Sequence, residues 1–445
     1  MNRRSYREAH LDIQEDPLRL MARLIRSGLF DSYVVYEDGS QWSLGGNALA
    51  TVQLSSDDAA DLNRVEEQLA AVPVNDWRAY GWAAFELGPV LAGMDIPEKT
   101  PLLHLVIPAD EVRVEGGSVL VRSVDPERLE GLVQLVRTAG DDIKLAERIS
   151  LSLDDTGNYQ AAVAAALVEI TGDGPLHKVV LSRRLPVPTD VDLVATYVAG
   201  RRANTPARSF LLNLGGIEAA GFSPETVAEV TSDGTVTTRP LAGTRALTGS
   251  EADDARLRAR LLSDPKEIHE HAISVKLALE DLAAICDNPL VSEYMTVQER
   301  GSVQHLASTV TGRLRPGHGP WQAFAALFPA VTATGIPKAP AYPLIRSLEG
   351  LPRGLYAGAV LTCDSLGNLD AALVLRSIFR QDDRCWLQAG AGVVQQSRPE
   401  REHTETCEKL RSIAPYVVPA ESSADGSEGR RAMPARSRHR VHTDR

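Results

Sequence analysis

The chain has 445 residues and a mass of 48.1 kDa, and its 59 acidic side chains outnumber 47 lysines and arginines, giving a net charge of −12. This acidity argues against a general nucleic-acid-binding protein, because a phosphate backbone attracts clustered cations. It leaves room for a small anionic substrate, which needs only local positive charge. A chain of this length can bury a large core, in one large domain or in about two or three smaller ones.

The cysteines and the N-terminal segment predict a cytoplasmic protein. Cys286, Cys363, Cys385 and Cys407 show no CxxC spacing, so we expect reduced thiols rather than disulfides or a zinc site. Residues 1–16 are charged and lack an apolar stretch, and we do not expect a signal peptide there. Because no run of about 18 apolar residues occurs, no membrane span is expected either.

The first 150 residues carry strand and helix patterns but no group of charges that suggests chemistry. We therefore expect residues 1–150 to form the N-terminal part of the fold. Strands are predicted at 32–36, 50–54, 102–107 and 111–123, with Gly116-Gly117 as a hairpin turn, and helices at 57–71 and 126–138.

Residues 151–420 carry more signal. Asp264 as N-cap, Pro265 in the first turn and Glu267 three residues after the cap form a capping-box pattern at the start of a helix. Many strands joined by hairpins, with helices between the groups, indicate an α+β fold with antiparallel sheets. Helices are predicted at 158–170, 264–284 and 399–413, and strands at 177–185, 209–214, 228–237, 294–314, 354–363, 369–379 and 385–394.

The last segment, 421–445, differs from the rest of the chain. It is rich in Ser, Gly, Ala and Arg and has almost no large apolar side chains. Such a composition predicts a disordered basic tail, since little apolar surface is available to offset the entropy of ordering. A contact arm for RNA or for a membrane is the alternative.

Several common cofactor motifs are missing from the sequence. No Walker loop or GxGxxG segment follows a strand, so a nucleotide cofactor lacks support. His269-Glu270-His271 is not HExxH, and adjacent helical residues point about 100° apart, which disfavours a catalytic zinc.

Two helices carry carboxylates at the spacing that places them on one face. Glu267 and Glu270 are three residues apart, as are Glu402 and Glu405, and Lys409 follows one turn later. If these faces meet in a cleft, they form an oxygen-only site that suits Mg²⁺. The alternative is a capping Glu267 and solvated, salt-bridged helix faces.

Two further residues are candidates for proton transfer. Lys178 lies in an apolar strand, where a buried lysine can act as a general base, or where it can simply face solvent. Glu225 follows a turn and is either an acid with a raised pKa or the first residue of a helix near its dipole. Leu241–Arg245 and Ala389–Gly392 are interpreted as tight glycine turns whose N–H groups could hold carboxylates.

In this order, these pieces resemble the chorismate-utilising enzymes, which include anthranilate, aminodeoxychorismate, isochorismate and salicylate synthases. The resemblance is close over about 158–416, while the first 150 residues match only the family outline. It implies the large chorismate-binding domain of mostly antiparallel sheets with helices outside. The motifs that carry it are His177–Arg183, Phe222–Glu225, Pro240–Arg245, Asp264–Ser274, Glu299–Thr309, Gly335–Lys338, Arg353–Gly358, Ala371–Arg376, Gly390–Val393 and Pro399–Leu410.

The resemblance also bears on the nucleophile. Family members that add ammonia typically have glutamine at the position of Lys178, and a nucleophilic lysine of other members is replaced here by Ala242. Both features imply that water is the nucleophile. The strings Pro240–Leu247, Glu299–Leu306 and Glu405–Leu410 most resemble salicylate synthases of siderophore and natural-product pathways, and isochorismate synthases often carry a residue smaller than Thr244.

Residue roles follow from the resemblance. Lys178 would activate water, and Glu225 would protonate the leaving hydroxyl. Mg²⁺ would be held by Glu270 and Glu405, with Glu267 and Glu402 acting through water. The residues expected to bind or line the substrate are Gly243, Thr244, His305, Tyr356, Arg376, Gly390 and Lys409.

The expected reaction converts chorismate to isochorismate and then to salicylate and pyruvate. The alternatives are an isochorismate synthase that stops at the intermediate, an anthranilate synthase component I and a non-catalytic relative. We expect a monomer without an amidotransferase subunit and with no nucleic-acid or membrane partner. Arg239 stands where relatives commonly have an acidic or small residue, and its role is open.

Overall fold

The computed structural model describes residues 4–420 apart from 58–60, 97–99, 139, 141–142, 144–146, 155–157, 173, 189 and 302. The predicted tail, 421–445, lies outside the described residues. The strands are β1 Arg7–Asp12, β2 Tyr33–Glu37, β3 Gln41–Ser55, β4 Arg78–Ala83, β5 Pro101–Glu115, β6 Ser118–Ser123, β7 Lys178–Val187, β8 Arg208–Leu214, β9 Ile217–Ser223, β10 Thr226–Val230, β11 Thr235–Thr238, β12 Leu241–Ala246, β13 Cys286–Arg300, β14 Val303–Leu314, β15 Gly335–Ile336, β16 Ala359–Asp364, β17 Leu369–Leu373, β18 Ser377–Gln381 and β19 Arg384–Val394.

Helices lie between these groups of strands. Among the described helices, none is long and apolar enough to cross a membrane. They are α1 Pro17–Arg26, α2 Leu62–Ala70, α3 Leu87–Leu91, α4 Pro126–Arg137, α5 Tyr159–Thr171, α6 Leu193–Ala203, α7 Glu251–Ser263, α8 Pro265–Ala283, α9 Pro320–Leu327, α10 Lys338–Glu349 and α11 Pro399–Leu410, with short 3-10 helices at Val331–Ala333 and Ala414–Tyr416.

The named strands pair antiparallel throughout, which confirms the predicted sheet type. One branch of the sheet runs β15-β7-β19-β18-β9-β8-β2-β3-β5. A second branch runs β14-β11-β10-β17-β16-β4-β5, and β14 also pairs with β12 and β13. The long strand β5 joins both branches, pairing with β4 near its start and with β6 near its end.

Side-chain alternation along β2 shows how the sheet separates two apolar cores. Val34 and Tyr36 belong to the larger core, which also includes residues of β16 and β17 from the other branch. Tyr33 and Val35 belong to a second core that includes residues of α1, α4 and α6. Since successive strand residues point to opposite faces, β2 lies between the two cores.

The predicted start of α8 is confirmed, and the structure adds a detail. Asp264 is the N-cap, and its side chain accepts hydrogen bonds from the backbone N–H groups of Lys266 and Glu267. The Glu267 side chain does not return to the cap but binds Arg245. Capping therefore fixes the first turn while leaving the Glu267 carboxylate available to a neighbouring strand.

Both predicted glycine turns are wrong. Leu241–Ala246 is strand β12, with a bulge between Ala242 and Thr244, and residues 389–392 lie inside the long strand β19. Glu225 does not begin a helix, because it directly precedes strand β10. In each case the local sequence pattern was overridden by pairing with strands that are distant in the chain.

Candidate active site

A cleft of about 1170 Å³, part of it open to solvent, lies where β7, β12, β14, β19, α8 and α11 meet. Glu402 does not line it, but it lies one turn from Glu405 on α11 and is buried. The predicted site residues that do line it are Lys178, Glu225, Gly243, Thr244, Glu267, Glu270, His305, Tyr356, Arg376, Gly390, Glu405 and Lys409.

Lys178, the first residue of β7, is buried within this cleft. Its side chain is 4% exposed, and Nζ lies 2.6 Å from Oε1 of Glu270 on α8. The solvent-facing alternative for Lys178 is therefore wrong. Strand pairing places the residue, because Lys178 pairs with Val394 of β19 on one side and with Ile336 of β15 on the other.

Glu225 is the second buried titratable group that opens onto the cleft. Burial raises the pKa of its carboxyl group to about 8, although the Thr332 hydroxyl, 2.8 Å from Oε1, and the charge of Lys178 oppose that shift. The side chain is therefore largely protonated at neutral pH. A protonated carboxylic acid beside a substrate pocket is suited to proton donation.

Each of the four candidate metal ligands on α8 and α11 has a cationic neighbour. Glu405 and Lys409 lie 2.9 Å apart, and Glu267 Oε1 accepts a hydrogen bond of 2.7 Å from Arg245. Burial alone would raise the pKa of Glu405, but the charge and hydrogen bond of Lys409, together with the charges of Arg401 and Lys266, lower it. Glu402 is 1% exposed, and its nearest cation, Lys266, is 3.9 Å away. The sequence left solvated, salt-bridged helix faces as the alternative to a metal site. Because Glu402 is buried, solvation is wrong for this residue, whereas the predicted salt bridges do form.

The carboxylates fit a hard divalent cation by their chemistry. In the described residues, no three His, Cys, Asp or Glu side chains converge closely enough to form a preassembled metal site. However, Oε1 of Glu402 is buried without a hydrogen-bond partner, which marks an unsatisfied oxygen ligand. Burial, with a contribution from Glu405, raises the pKa of Glu402, so a nearby cation would stabilise its ionised form.

His305 and Arg376 form one hydrogen-bonded unit. Arg376 Nη2 lies 2.7 Å from His305 Nε2, and because a guanidinium only donates, Nε2 is the acceptor. His305 Nδ1 then carries the proton and faces the Thr244 hydroxyl at 3.0 Å and the Gly243 carbonyl at 3.3 Å. Burial, reinforced by Arg376, holds the pKa of His305 well below its usual range, so the ring is neutral.

Tyr356, Gly390 and Lys409 lie together on the β19 side of the cleft. Burial raises the pKa of Tyr356 to about 12, which keeps its phenol protonated as a donor. Lys409 Nζ donates to the Gly390 carbonyl at 2.8 Å. A Cβ atom at Gly390 would lie 2.7 Å from the Leu181 carbonyl and 3.0 Å from the Tyr356 hydroxyl, so only glycine fits at this point of the strand.

The backbone at Gly243 explains why the β12 glycine is needed. Its φ of +78° lies in the left-handed region, and a Cβ atom there would lie 3.0 Å from Glu267 Oε2. The bulge includes this residue, and β12 packs against α8. The backbone of Gly243 therefore lies against the same carboxylate that Arg245 binds.

Sequence reasoning missed two residues that organise the site. Thr332 donates to the proposed acid, and Arg245 links Glu267 with Asp264, 2.7 Å from an oxygen of each. Arg245 was part of a noted motif and Thr332 lies close to another, but their partners are too far along the chain for any local signal. Arg239 does not line the cleft; it is ion-paired with Glu229 and lines a neighbouring cavity.

Comparison with known proteins identifies the family. The family model of chorismate binding enzymes matches residues 31–415. The chain belongs to this family. It is 40% identical over 432 residues to a salicylate synthase of Mycolicibacterium paratuberculosis, covering 92% of this chain and 95% of that relative.

Solved structures agree with the fold. The menaquinone-specific isochorismate synthase of Escherichia coli superposes with a TM-score of 0.74 at 22% identity, covering 93% of this chain and 95% of that chain. Component I of anthranilate synthase from Streptococcus pneumoniae gives a TM-score of 0.69 at 24% identity, with 92% of each chain covered. The protein thus has the large, mostly antiparallel fold of the chorismate-utilising enzymes and acts on a small molecule.

Proposed function

We propose that this chorismate-utilising enzyme is a Mg²⁺-dependent salicylate synthase. The observation that carries the proposal is a buried lysine and a buried, protonated glutamic acid that open onto the same cleft. The 40% identity to a salicylate synthase over nearly the whole chain supports it. In the first step, Lys178 takes a proton from water, which attacks ring C2, while Glu225 protonates the hydroxyl that leaves C4.

The charge on Lys178 has to change before it can act as a base. In this structure its ammonium group donates to Glu270. For Lys178 to accept a proton, Glu270 has to be engaged elsewhere. A divalent cation bound by Glu270 and Glu405, with Glu267 and Glu402 nearby, would engage it, neutralise the ring carboxylate and orient the ring.

The remaining polar groups are placed for the second carboxylate of chorismate. Arg376 offers a guanidinium suited to bidentate carboxylate binding, and it donates a hydrogen bond to the neutral His305 ring. Tyr356 adds a hydroxyl donor. The ring carboxylate pocket would be completed by the Gly243 and Thr244 backbone and by Lys409. Loss of pyruvate from isochorismate then requires positioning rather than a further acid or base.

Two products distinguish the proposal from its main alternative. An isochorismate synthase would use the same acid and base and stop after the first step. Glu225 and Lys178 explain only this first step, so they do not distinguish the two functions. The test is incubation with chorismate and Mg²⁺ followed by chromatographic separation of products. Salicylate and pyruvate in equal amounts are expected, and isochorismate that accumulates without salicylate overturns the proposal.

Removal of the metal tests the cofactor in the same assay. Chelation with EDTA is expected to stop turnover, and added Mg²⁺ should restore it. Because water rather than ammonia is the nucleophile, we further propose that the enzyme needs no amidotransferase partner and is a monomer. Its scattered cysteines support the proposal that it acts in the cytoplasm. Its salicylate would serve a siderophore or another salicylate-derived product.

A further inference from the structure

A second cavity adjoins the active-site cleft beside the proposed acid. It encloses about 860 Å³, part of it open to solvent, and shares Pro224, Glu225 and Leu241 with the cleft. The wall formed by these three residues therefore separates two spaces. The cationic residues that line the second cavity are Arg208, Arg239 and Arg300.

Two of these arginines are neutralised by carboxylates. Arg208 donates to both oxygens of Asp370, at 2.8 and 2.6 Å, and lies 3.3 Å from Glu229. Arg239 is ion-paired with Glu229. The positive charge of these two side chains is therefore already matched, and neither alone offers a site for an anion.

Arg300 differs from its two neighbours. Its guanidinium donates to the Gln298 side chain at 2.6 Å and to the Glu299 carbonyl at 3.1 Å, and no carboxylate in the described part of the chain pairs with it. Its Nε is shielded from solvent and has no hydrogen-bond partner. Burial, with contributions from Arg208 and Arg239, lowers the pKa of Arg300. A bound anion would supply the counter-charge that the Arg300 guanidinium lacks among the described residues.

Arg300 is also directly connected to the cleft. Its backbone carbonyl accepts a hydrogen bond of 3.2 Å from Nη1 of Arg376, the residue placed to hold the enolpyruvyl carboxylate. Arg300 is therefore linked through one backbone carbonyl to the arginine proposed to hold the enolpyruvyl carboxylate.

We propose that the cavity at Arg300 binds a small carboxylate, and that the 2-oxo acid released by the reaction is its ligand. The identity of this ligand rests on the proposed function. The cavity adjoins the reaction site, and Arg300 is the cation in it that lacks a counter-ion among the described residues. The entering substrate is the other source of a carboxylate, and the experiment separates the two.

The direct test is a titration of pyruvate into the full-length enzyme without chorismate at constant ionic strength. Arg300→Gln is expected to weaken binding on the order of tenfold, the effect of losing one charge-assisted interaction. Arg300→Lys, which keeps the charge, should weaken it less. The matched control is Arg313→Gln, since Arg313 is a surface residue paired with Asp233 and should leave binding unchanged. Equal affinity of the wild type and Arg300→Gln overturns the proposal.

A kinetic arm identifies the source of the carboxylate. With chorismate consumption as the readout, added pyruvate is expected to inhibit the wild type even at saturating chorismate, and this inhibition should be on the order of tenfold weaker in Arg300→Gln. The KM for chorismate should stay within about twofold. A raised KM with unchanged inhibition by pyruvate would instead assign the cavity to the entering substrate and overturn the product site.

The titration does not depend on turnover, so the two proposals fail separately. If the product assay yields only isochorismate, the proposed function fails, while pyruvate binding at Arg300 is still measured. If salicylate forms but Arg300→Gln binds pyruvate like the wild type, only the cavity proposal fails. Thermal unfolding of each variant, with an unchanged midpoint expected, shows that the comparison is made between folded proteins.

Discussion

Two clusters of buried charge lie along strand β7, and they differ in how completely their polar atoms are bonded. Around Arg353, every side-chain nitrogen donates: Nε to Glu349, Nη1 to the Ala333 carbonyl, and Nη2 to Glu349 and the Val180 carbonyl. Glu86 accepts the backbone N–H groups of Arg353 and its neighbour, at 2.7 and 3.0 Å. The side-chain nitrogens of Arg353 are therefore all hydrogen-bonded within the protein, and none is free to bind a ligand.

The cluster at Lys178 is incomplete. Glu402 keeps a buried oxygen without a partner, and the Lys178–Glu270 and Lys409–Glu405 pairs border an open cleft. Such pairs can be exchanged for contacts with an anion and a cation. The comparison shows that buried charge alone does not mark a functional site; the unsatisfied groups within it do.

The largest expected effect is loss of the proposed base. Lys178→Ala should lower kcat by about 10⁴-fold, because it removes the group that activates water. Unfolding by heat should change little, since the remaining Glu270 carboxylate borders the open cleft. Lys276→Ala, an exposed lysine paired with Glu280, is the matched control and should keep full activity. Unaltered turnover in Lys178→Ala would refute the role of the base.

The next effect distinguishes the two clusters directly. Arg353→Met should reduce the free energy of unfolding by about 3–5 kcal/mol, because it leaves Glu349 buried without its cation. Chemical denaturation with urea measures this difference. Any folded fraction should retain its KM for chorismate. A variant as stable as the wild type would show that the complete Arg353 cluster does not hold the scaffold together.

Loss of the proposed acid should affect one step of the reaction more than the other. Glu225→Gln cannot donate a carboxylic proton, so isochorismate formation should fall by about 10²–10³-fold. Conversion of supplied isochorismate to salicylate should be spared, because that step needs no acid. Product analysis with each substrate separates these outcomes. Equal loss of both activities would mean that Glu225 has been misassigned.

The pH profile gives a smaller and more graded effect. Glu225 must be protonated to act, and burial raises its pKa to about 8. The protonated form therefore predominates below that pH and declines above it. With Lys178 already in its neutral form, the rate of isochorismate formation should fall about tenfold for each further pH unit. Measurement of initial rates across this range, with Glu225→Gln as the reference that lacks this titration, checks the sign. A rate that rises through this range would contradict the acid role.

The sequence allowed much of the scaffold to be predicted. Asp264 and Pro265 correctly mark the start of α8, and Gly116-Gly117 correctly marks the turn between β5 and β6, because capping and hairpin signals are local. The glycines of β12 and β19 were wrongly predicted to form turns, because the contacts that require glycine there are not local. Gly243 and Gly390 are required by close approach of Glu267 and of the Leu181 carbonyl, contacts that no local pattern reveals.

The site was predictable in its residues but not in its pairings. Family resemblance indicated Lys178 and Glu225, and the cleft brings both together with the carboxylates of α8 and α11. The sequence could not show that Lys178 is paired with Glu270, 92 residues away, or that Thr332 lies against Glu225, 107 residues away. Those pairings depend on strand register, which the whole sheet sets.

The smallest expected effect tests the unsatisfied oxygen itself. Burial raises the pKa of Glu402, so its ionised form destabilises the fold. The stability that the protonated form contributes at low pH is lost as the pH rises through the pKa of the folded state. In EDTA at neutral pH, Glu402→Gln should therefore increase the free energy of unfolding by about 1 kcal/mol. Mg²⁺ should stabilise the wild type more than this variant, since a ligand stabilises only the form that binds it. Glu400→Gln, an exposed carboxylate on the same helix, should respond to Mg²⁺ like the wild type. If Mg²⁺ stabilises Glu402→Gln as much as the wild type, Glu402 does not contribute to the cation site, and its buried oxygen has no assigned ligand.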